Sequence, residues 1–540
     1  MRVAALFLLF PFFVLSQSKY THADSLKGKI TKEREWWNVL HYELRASFNE
    51  KDSSVKGSNK TTYKVLSSNQ VMHIDLREPM ILDSAVQNNK MCKWKKDGDA
   101  YFILLSNAQK ENDQQQITFY FHGKPRVAKL PPWDGGLIWK KDRNKNPWIS
   151  IACQGMAGSV WFPNKDHMYD EPDSVSFFIT APKELVAVAG GRLRSVVENN
   201  DNTKTYNWAV VNPINNYSII PYIGKYVNFK DTFNGKGGVL DVNYWVLDYN
   251  LEKAKEHFKE TKTMLRCFED WFGKYPFYED GYKLVESPHL GMEHQSAVAY
   301  GNNYVKGYMG RDLSETGWGL KWDFIIIHES GHEWFGNNIS VKDVADNWVH
   351  EGFTAYSENL YTEYLFGKEA GADYVIGTRR GIDNDVPIIG DYEVNRDGSG
   401  DMYYKAANML HMIRQLVNND SVWKLFLRDI NKTFWHTTTT SKDVETYMIN
   451  YLKLDLAKVF DQYLRTVQIP ELEYSWKNKI LSVRWNNCVK GFNMPVRINI
   501  GKNSLLLRPT EKWNSLGLPE EAEVTVNRNC YVNIRKVKKD

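Results

Sequence analysis

Residues 324–338 read FIIIHESGHEWFGNN, and the run His328-Glu329-Ser330-Gly331-His332 inside them decides how the rest of the chain is read. Histidines four apart lie one helical turn apart on the same face, so both imidazoles reach one metal ion. Glu329, beside the first, is placed to hold water that such a metal polarises. Ile325, His328, His332 and Phe335 keep three- and four-residue spacing, which predicts a buried helix. Gly336 stands where its C-cap is expected. The alternative is a helix with two buried, hydrogen-bonded histidines. Histidine is scarce, 13 in 540 residues, so a chance H-E-x-x-H has a probability on the order of a few in a hundred.

A hydrolytic zinc takes three protein ligands and leaves one position for water. Nineteen residues after His332 comes Glu351, in DNWVHEGFTAYSE, which reads as a second helix and supplies the third ligand. Neighbouring His350 competes for that role, but it lies about 100° around the helix. Glu358 returns to the face of Glu351 and suits either a carboxylate that orients a ligand imidazole or an exposed glutamate.

Outward from this centre, the chain changes character three times. Residues 1–18 carry one basic residue, an apolar run from Val3 to Leu15, and then small residues. They are read as a secretory signal peptide, with export to the periplasm or beyond the cell. Residues 19–248 alternate in short runs such as VMHIDL, ITFYFHG and SVSFFIT, which predicts an antiparallel β domain. Residues 249–468 have helical periodicity and hold the zinc motif. Residues 469–540 return to short strands, as in a small β-sandwich-like domain. The fold class is therefore multidomain α+β.

Net charge is +4, and no basic block is interleaved with aromatics, so nucleic acid is not an expected partner. Nothing after the leader approaches membrane-spanning length, so no stable membrane insertion is expected. The oligomeric state is not legible. None of the five cysteines forms a C-x-x-C pair, and Cys488 with Cys530 is the expected disulfide, since both fall in the last β segment.

Two further stretches carry chemistry. SPHLGMEHQSAVAY, residues 287–300, places Glu293 among glycine and small residues. It reads either as a ligand-approaching loop or as a turn with a solvated glutamate. GDMYYKAANML, residues 400–410, opens a helix with Tyr403 and Tyr404, which are packing residues or, near a metal, a donor to an oxyanion.

Taken together, these motifs resemble the M1 (gluzincin) metallo-aminopeptidases. H-E-x-x-H followed by Glu351 matches, as do W-F-G-N at Trp334 to Asn337 and W-x-x-E-G-F at Trp348 to Phe353. Leu290-Gly291-Met292-Glu293-His294 is similar to the family's G-x-M-E-N exopeptidase motif, and Tyr403-Tyr404-Lys405-Ala406-Ala407 to its Y-x-K-G-A segment. The resemblance implies a thermolysin-like catalytic domain and one zinc ion per chain, held by His328, His332 and Glu351. It implies Glu329 as general base and Tyr403 as oxyanion stabiliser. It assigns Glu293 and Gln154 to the substrate ammonium, with Gly291 and Met292 in the same substrate-binding loop. The expected substrates are peptides with a free N-terminus. The large C-terminal helical domain of many members has no counterpart in this sequence. Leu290, His294, His350 and Ala406 depart from the family pattern and bear on substrate preference; His294 brings a group that ordinarily titrates near neutrality. An endopeptidase or epoxide hydrolase on the same scaffold, or a non-catalytic zinc-containing binding protein, stays open at this point.

Overall fold

A computed structural model describes residues 19–153 and 157–538. Residues 1–18, read as the leader, and Gln154 lie outside the described residues.

The N-terminal domain is built on an eight-stranded sheet. Its centre is the long strand Trp37–Asn49, antiparallel to Ser54–Val65 and parallel to Ser174–Pro182. The domain is thus antiparallel except for that one pairing within its largest sheet. Strand Ser174–Pro182 alternates buried and half-buried residues along its whole length, as a strand with one face on a core must. Two smaller sheets close over the large one, and Trp36, Trp37, Trp161 and Trp208 fill the space between.

Hairpin 226–247, which the alternation places in the N-terminal domain, pairs through strand Gly238–Leu247 with Tyr282–Glu286. It therefore supplies two strands of a five-stranded sheet that also contains Val298–Tyr300 and Gly291–Met292. Phe233, Leu240, Val242 and Tyr244 on it pack into the catalytic core, not the N-terminal one. A strand pattern alone does not say which sheet a hairpin joins, because that depends on pairing some forty residues further on.

Helices Glu260–Phe272 and Phe324–Gly331 pack against this sheet, and Trp348–Phe366 and Asp420–Thr433 pack in turn on those helices, with Tyr404–Val417 against both. The first ends at Gly273, whose φ of +96° an L side chain would resist. The helix of the histidine motif stops at Gly331, earlier than the expected cap at Gly336. Residues 332–336 instead turn back, and Gly336 (φ +129°) donates its N–H to Ile339.

The C-terminal residues form a four-stranded and a three-stranded sheet whose Trp485, Phe492 and Val496 share one core with the catalytic helices. The expected Cys488–Cys530 disulfide is not made; both are free thiols. Cys530 is buried near Arg379 and Arg497, whereas Cys488 faces Glu511, so the two sit in different surroundings. No helix among the described residues is long and apolar enough to cross a membrane.

Candidate active site

Gly331 is where the histidine helix meets helix Trp348–Phe366. A Cβ there would lie 2.6 Å from Ser357 Oγ and 3.2 Å from the Thr354 methyl. Only glycine permits that approach, and the approach carries Glu351 to the histidines. Glu351 Oε2 lies 3.5 Å from His328 Nε2 and 3.3 Å from His332 Nε2, all three residues being buried. Oε2 has no hydrogen-bond donor among the described residues, an arrangement that costs stability in a site this dry unless a cation faces it.

The far sides of both rings are fixed. His328 Nδ1 is 2.7 Å from Glu358 Oε1, and Glu358 Oε2 accepts from the Tyr374 hydroxyl at 2.6 Å. Glu358 is fully buried behind the His328 imidazole and is not a solvated glutamate. His332 Nδ1 donates to the Phe335 carbonyl at 3.0 Å, with Thr354 Oγ1 at 3.2 Å. With Nδ1 occupied, each ring turns the lone pair of Nε2 toward Glu351. Two imidazoles and one carboxylate converging this way fit zinc.

His350 is not available as the third ligand. Its Nε2 accepts the Val341 N–H at 2.9 Å, and burial pushes its imidazole down to about 3.

Glu293 enters from strand Gly291–Met292 and the turn after it. The carboxylates of Glu293 and Glu329 and a ring nitrogen of His332 lie within 4.8 Å of one another. A Cβ on Gly291 would fall 2.6 Å from Glu329 Oε1, so the loop backbone presses directly on that carboxylate. Burial, then the charge of Glu293, push the Glu329 carboxyl up to about 7 against the pull of the histidines. Leu290 keeps this approach intact: its side chain packs on the catalytic core and its carbonyl accepts from Gly301 at 2.7 Å. His294 is fully buried against the Tyr222 hydroxyl at 2.6 Å, and burial holds its imidazole well below the usual range. It therefore adds no titration near neutrality.

The two tyrosines separate. The Tyr403 ring centroid is 6.0 Å from that of His328. Its hydroxyl is raised by burial and then by Glu351 and Glu293, whereas Tyr404 responds to Glu358. Tyr403 is the one that faces the His328–His332–Glu351 cluster.

Four residues escaped sequence reading. Asn337 Nδ2 donates to the Glu293 carbonyl at 2.8 Å. Glu333, fully buried, accepts the Ser296 N–H at 2.9 Å and the Tyr275 hydroxyl at 2.7 Å. Tyr374 braces Glu358, and Tyr217 of the N-terminal domain lines the cleft beside Glu293 and Glu351. Asn337 stood inside the W-F-G-N match and Glu333 beside His332, but neither position discloses its partner. The cleft holds a cavity of about 120 Å³ walled by both domains.

Residues 256–463, which span the His–His–Glu cluster, Glu293 and Tyr403, match the Peptidase family M1 domain. Leukotriene A-4 hydrolase of Xenopus laevis is 22% identical over 460 residues, covering 79% of this chain and 70% of its own length. The probable aminopeptidase 2 of Sulfurisphaera tokodaii is 21% identical over 472 residues, with 85% of this chain and 52% of that one covered. This chain thus spans about half the length of the latter. Among solved structures, a mutant M1 zinc metallopeptidase of Deinococcus radiodurans bound to a Tyr-Ser-Ala substrate superposes with a TM-score of 0.67. That match has 19% identity and covers 80% of this chain and 95% of the other. Motifs, domain match and fold agree: residues 256–463 carry a peptidase family M1 domain, within a fold similar to that of M1 zinc metallopeptidases.

Proposed function

We propose that the chain is a zinc-dependent aminopeptidase that hydrolyses the N-terminal peptide bond of peptides. The observation that carries this reading is the meeting of Glu293 with Glu329 and His332, all within 4.8 Å, beside the His328–His332–Glu351 cluster. One zinc ion held by those three ligands would supply a Lewis acid that brings the pKa of water to about 7, as in known sites.

The chain's own groups then divide the work. Glu329 takes a proton from the attacking water and passes it to the leaving amine nitrogen. The Tyr403 hydroxyl, kept protonated by burial and by nearby carboxylates, donates to the carbonyl oxygen as negative charge develops there. Glu293, with Gln154 assigned beside it by resemblance, accepts from the substrate ammonium, and Gly291 and Met292 complete that wall. An internal peptide bond offers no ammonium for this clamp, which favours an aminopeptidase over an endopeptidase. Export through residues 1–18 belongs to the same reading.

The test is Glu329→Gln. The variant should bind zinc with the wild-type stoichiometry, one per chain, and lose turnover by roughly two to four orders of magnitude. Wild-type turnover would remove Glu329 as the base.

A further inference from the structure

The chain ahead of the first long strand does not stay on the domain it leads into. The end of helix His22–Gly28 is held from the N-terminal domain by Arg34. That buried guanidinium donates through Nη1 to the carbonyls of Leu26, Lys27 and Lys29 at 3.0, 3.0 and 2.8 Å. Its Nη2 pairs with Asp75 at 2.7 Å. Lys27 pairs with Asp166 at 3.1 Å, and His167 Nε2 donates to the Gly28 carbonyl at 3.0 Å.

The same segment reaches the catalytic domain on the loop that precedes Tyr403. The Asn395 N–H donates to the Asp24 carbonyl at 3.0 Å, and Lys19 and Tyr20 both bond to Asp391. A Cβ on Gly28 would fall 2.4 Å from the Val394 backbone, so the two main chains touch where glycine leaves room. Residues 19–29 thus form a strap from one domain to the other. A guanidinium buried with a carboxylate and three carbonyls is costly to disrupt, which makes the strap a fixed wall and not a mobile lid.

That wall belongs to the active-site cleft. Lys27, Gly28 and Val394 line the same cavity as Met292, Glu293 and Glu351. Its volume is about 120 Å³. For scale, an engineered cavity of about 150 Å³ takes benzene. A substrate with its ammonium on Glu293 and its carbonyl at the metal that Glu351 would hold has its first Cα between those two walls. In a cavity this small, the side chain on that Cα meets the strap before it can extend.

We propose that the strap, through the bulk of Lys27 and the closure at Gly28, restricts the first residue of the substrate to a small side chain. The inference rests on the aminopeptidase reading and adds to it the size of residue accepted.

The test compares alanyl-, leucyl- and phenylalanyl-arylamides on wild type, Lys27→Ala and Lys27→Met. The wild type should favour alanyl over phenylalanyl by at least about tenfold in kcat/KM, with leucyl between them. Lys27→Ala cuts the side chain back to its Cβ and should raise the phenylalanyl-to-alanyl ratio roughly tenfold. Lys27→Met keeps most of the bulk without the charge and should leave that ratio near wild type. Both variants take the Lys27 charge from Asp166, so a purely structural effect would move them together. An unchanged ratio in Lys27→Ala, equal ratios in the two variants, or a wild type that prefers phenylalanyl overturns the proposal. Should Lys27→Ala not fold, Lys27→Ala combined with Asp166→Asn removes the stranded carboxylate and is read in the same way. Failure of the underlying reading looks different, since no free-amine substrate would turn over. In that case calorimetric binding of Ala-Ala and Phe-Ala to Glu329→Gln, with and without Lys27→Ala, still decides whether the strap discriminates by size.

Discussion

Asn337 and Glu293 are joined by a 2.8 Å hydrogen bond from the Asn337 side-chain amide to the Glu293 backbone carbonyl. Asn337 follows the turn that ends the histidine helix, so the same short segment holds His332, a proposed metal ligand, and the loop that carries Glu293. Glu333 closes a second tie by accepting from Ser296, three residues beyond Glu293. Removing one such bond costs about 1 kcal/mol, roughly a factor of five. Asn337→Ala should therefore raise KM for free-amine substrates about fivefold, with smaller change in kcat and full zinc content. An effect on kcat alone, or loss of zinc, would place Asn337 in a different role.

Glu358 stands behind His328 and is itself held by Tyr374. Partners of this kind typically contribute a factor of about 10–100 in metal affinity. Glu358→Gln should weaken zinc binding by that range in competition with a chelator, and Tyr374→Phe should do so less, because it acts one bond further out. Unchanged affinity in Glu358→Gln would show that packing alone orients the ring.

Tyr403→Phe removes a hydroxyl whose contribution belongs to the charged stage of the reaction and not to substrate binding. A lost oxyanion donor costs about 10²–10³ in kcat. Steady-state kinetics on an alanyl-arylamide should show that fall in kcat with KM within about twofold. Tyr404→Phe serves as the comparison and should leave kcat near wild type.

Lys283 gives a pH-dependent stability with a definite sign. It is buried within strand Tyr282–Glu286, donates to the Gly191 carbonyl, and burial holds its ammonium down to about 7 from the ordinary 10.5. Below pH 7 folded and unfolded chains both carry the proton, and the buried charge is destabilising. Between those values only the unfolded chain keeps it, so stability rises with pH by up to about 1.4 kcal/mol per unit. Lys283→Met lacks this slope. In urea unfolding, the stability difference should move toward the wild type by on the order of 3 kcal/mol between about pH 6.5 and 9.5. Parallel curves for the two proteins would mean that Lys283 keeps its ordinary pKa.

Much of the centre was legible in the sequence because its geometry is local. His328, Glu329 and His332 lie within two helical turns, and Glu351 follows in the next helix but for one short strand. The ties that hold them are not local. Tyr374 reaches Glu358 from a separate helix, Tyr217 comes from the other domain, and Ser296 meets Glu333 across thirty-seven residues. No spacing rule encodes such contacts, since they follow from packing. The same limit explains hairpin 226–247, whose strands were visible but whose sheet was not. It also explains His294 and Cys530, whose burial, not their residue type, decides what they do.

The most direct test of the amine clamp is a matched pair of alanyl-arylamides, one with a free amine and one N-acetylated, offered to the zinc-loaded protein. The free-amine substrate should be hydrolysed and the acetylated one left intact, because acetylation removes the charge that Glu293 is placed to hold. Comparable cleavage of both would contradict the clamp and return the scaffold to an endopeptidase reading.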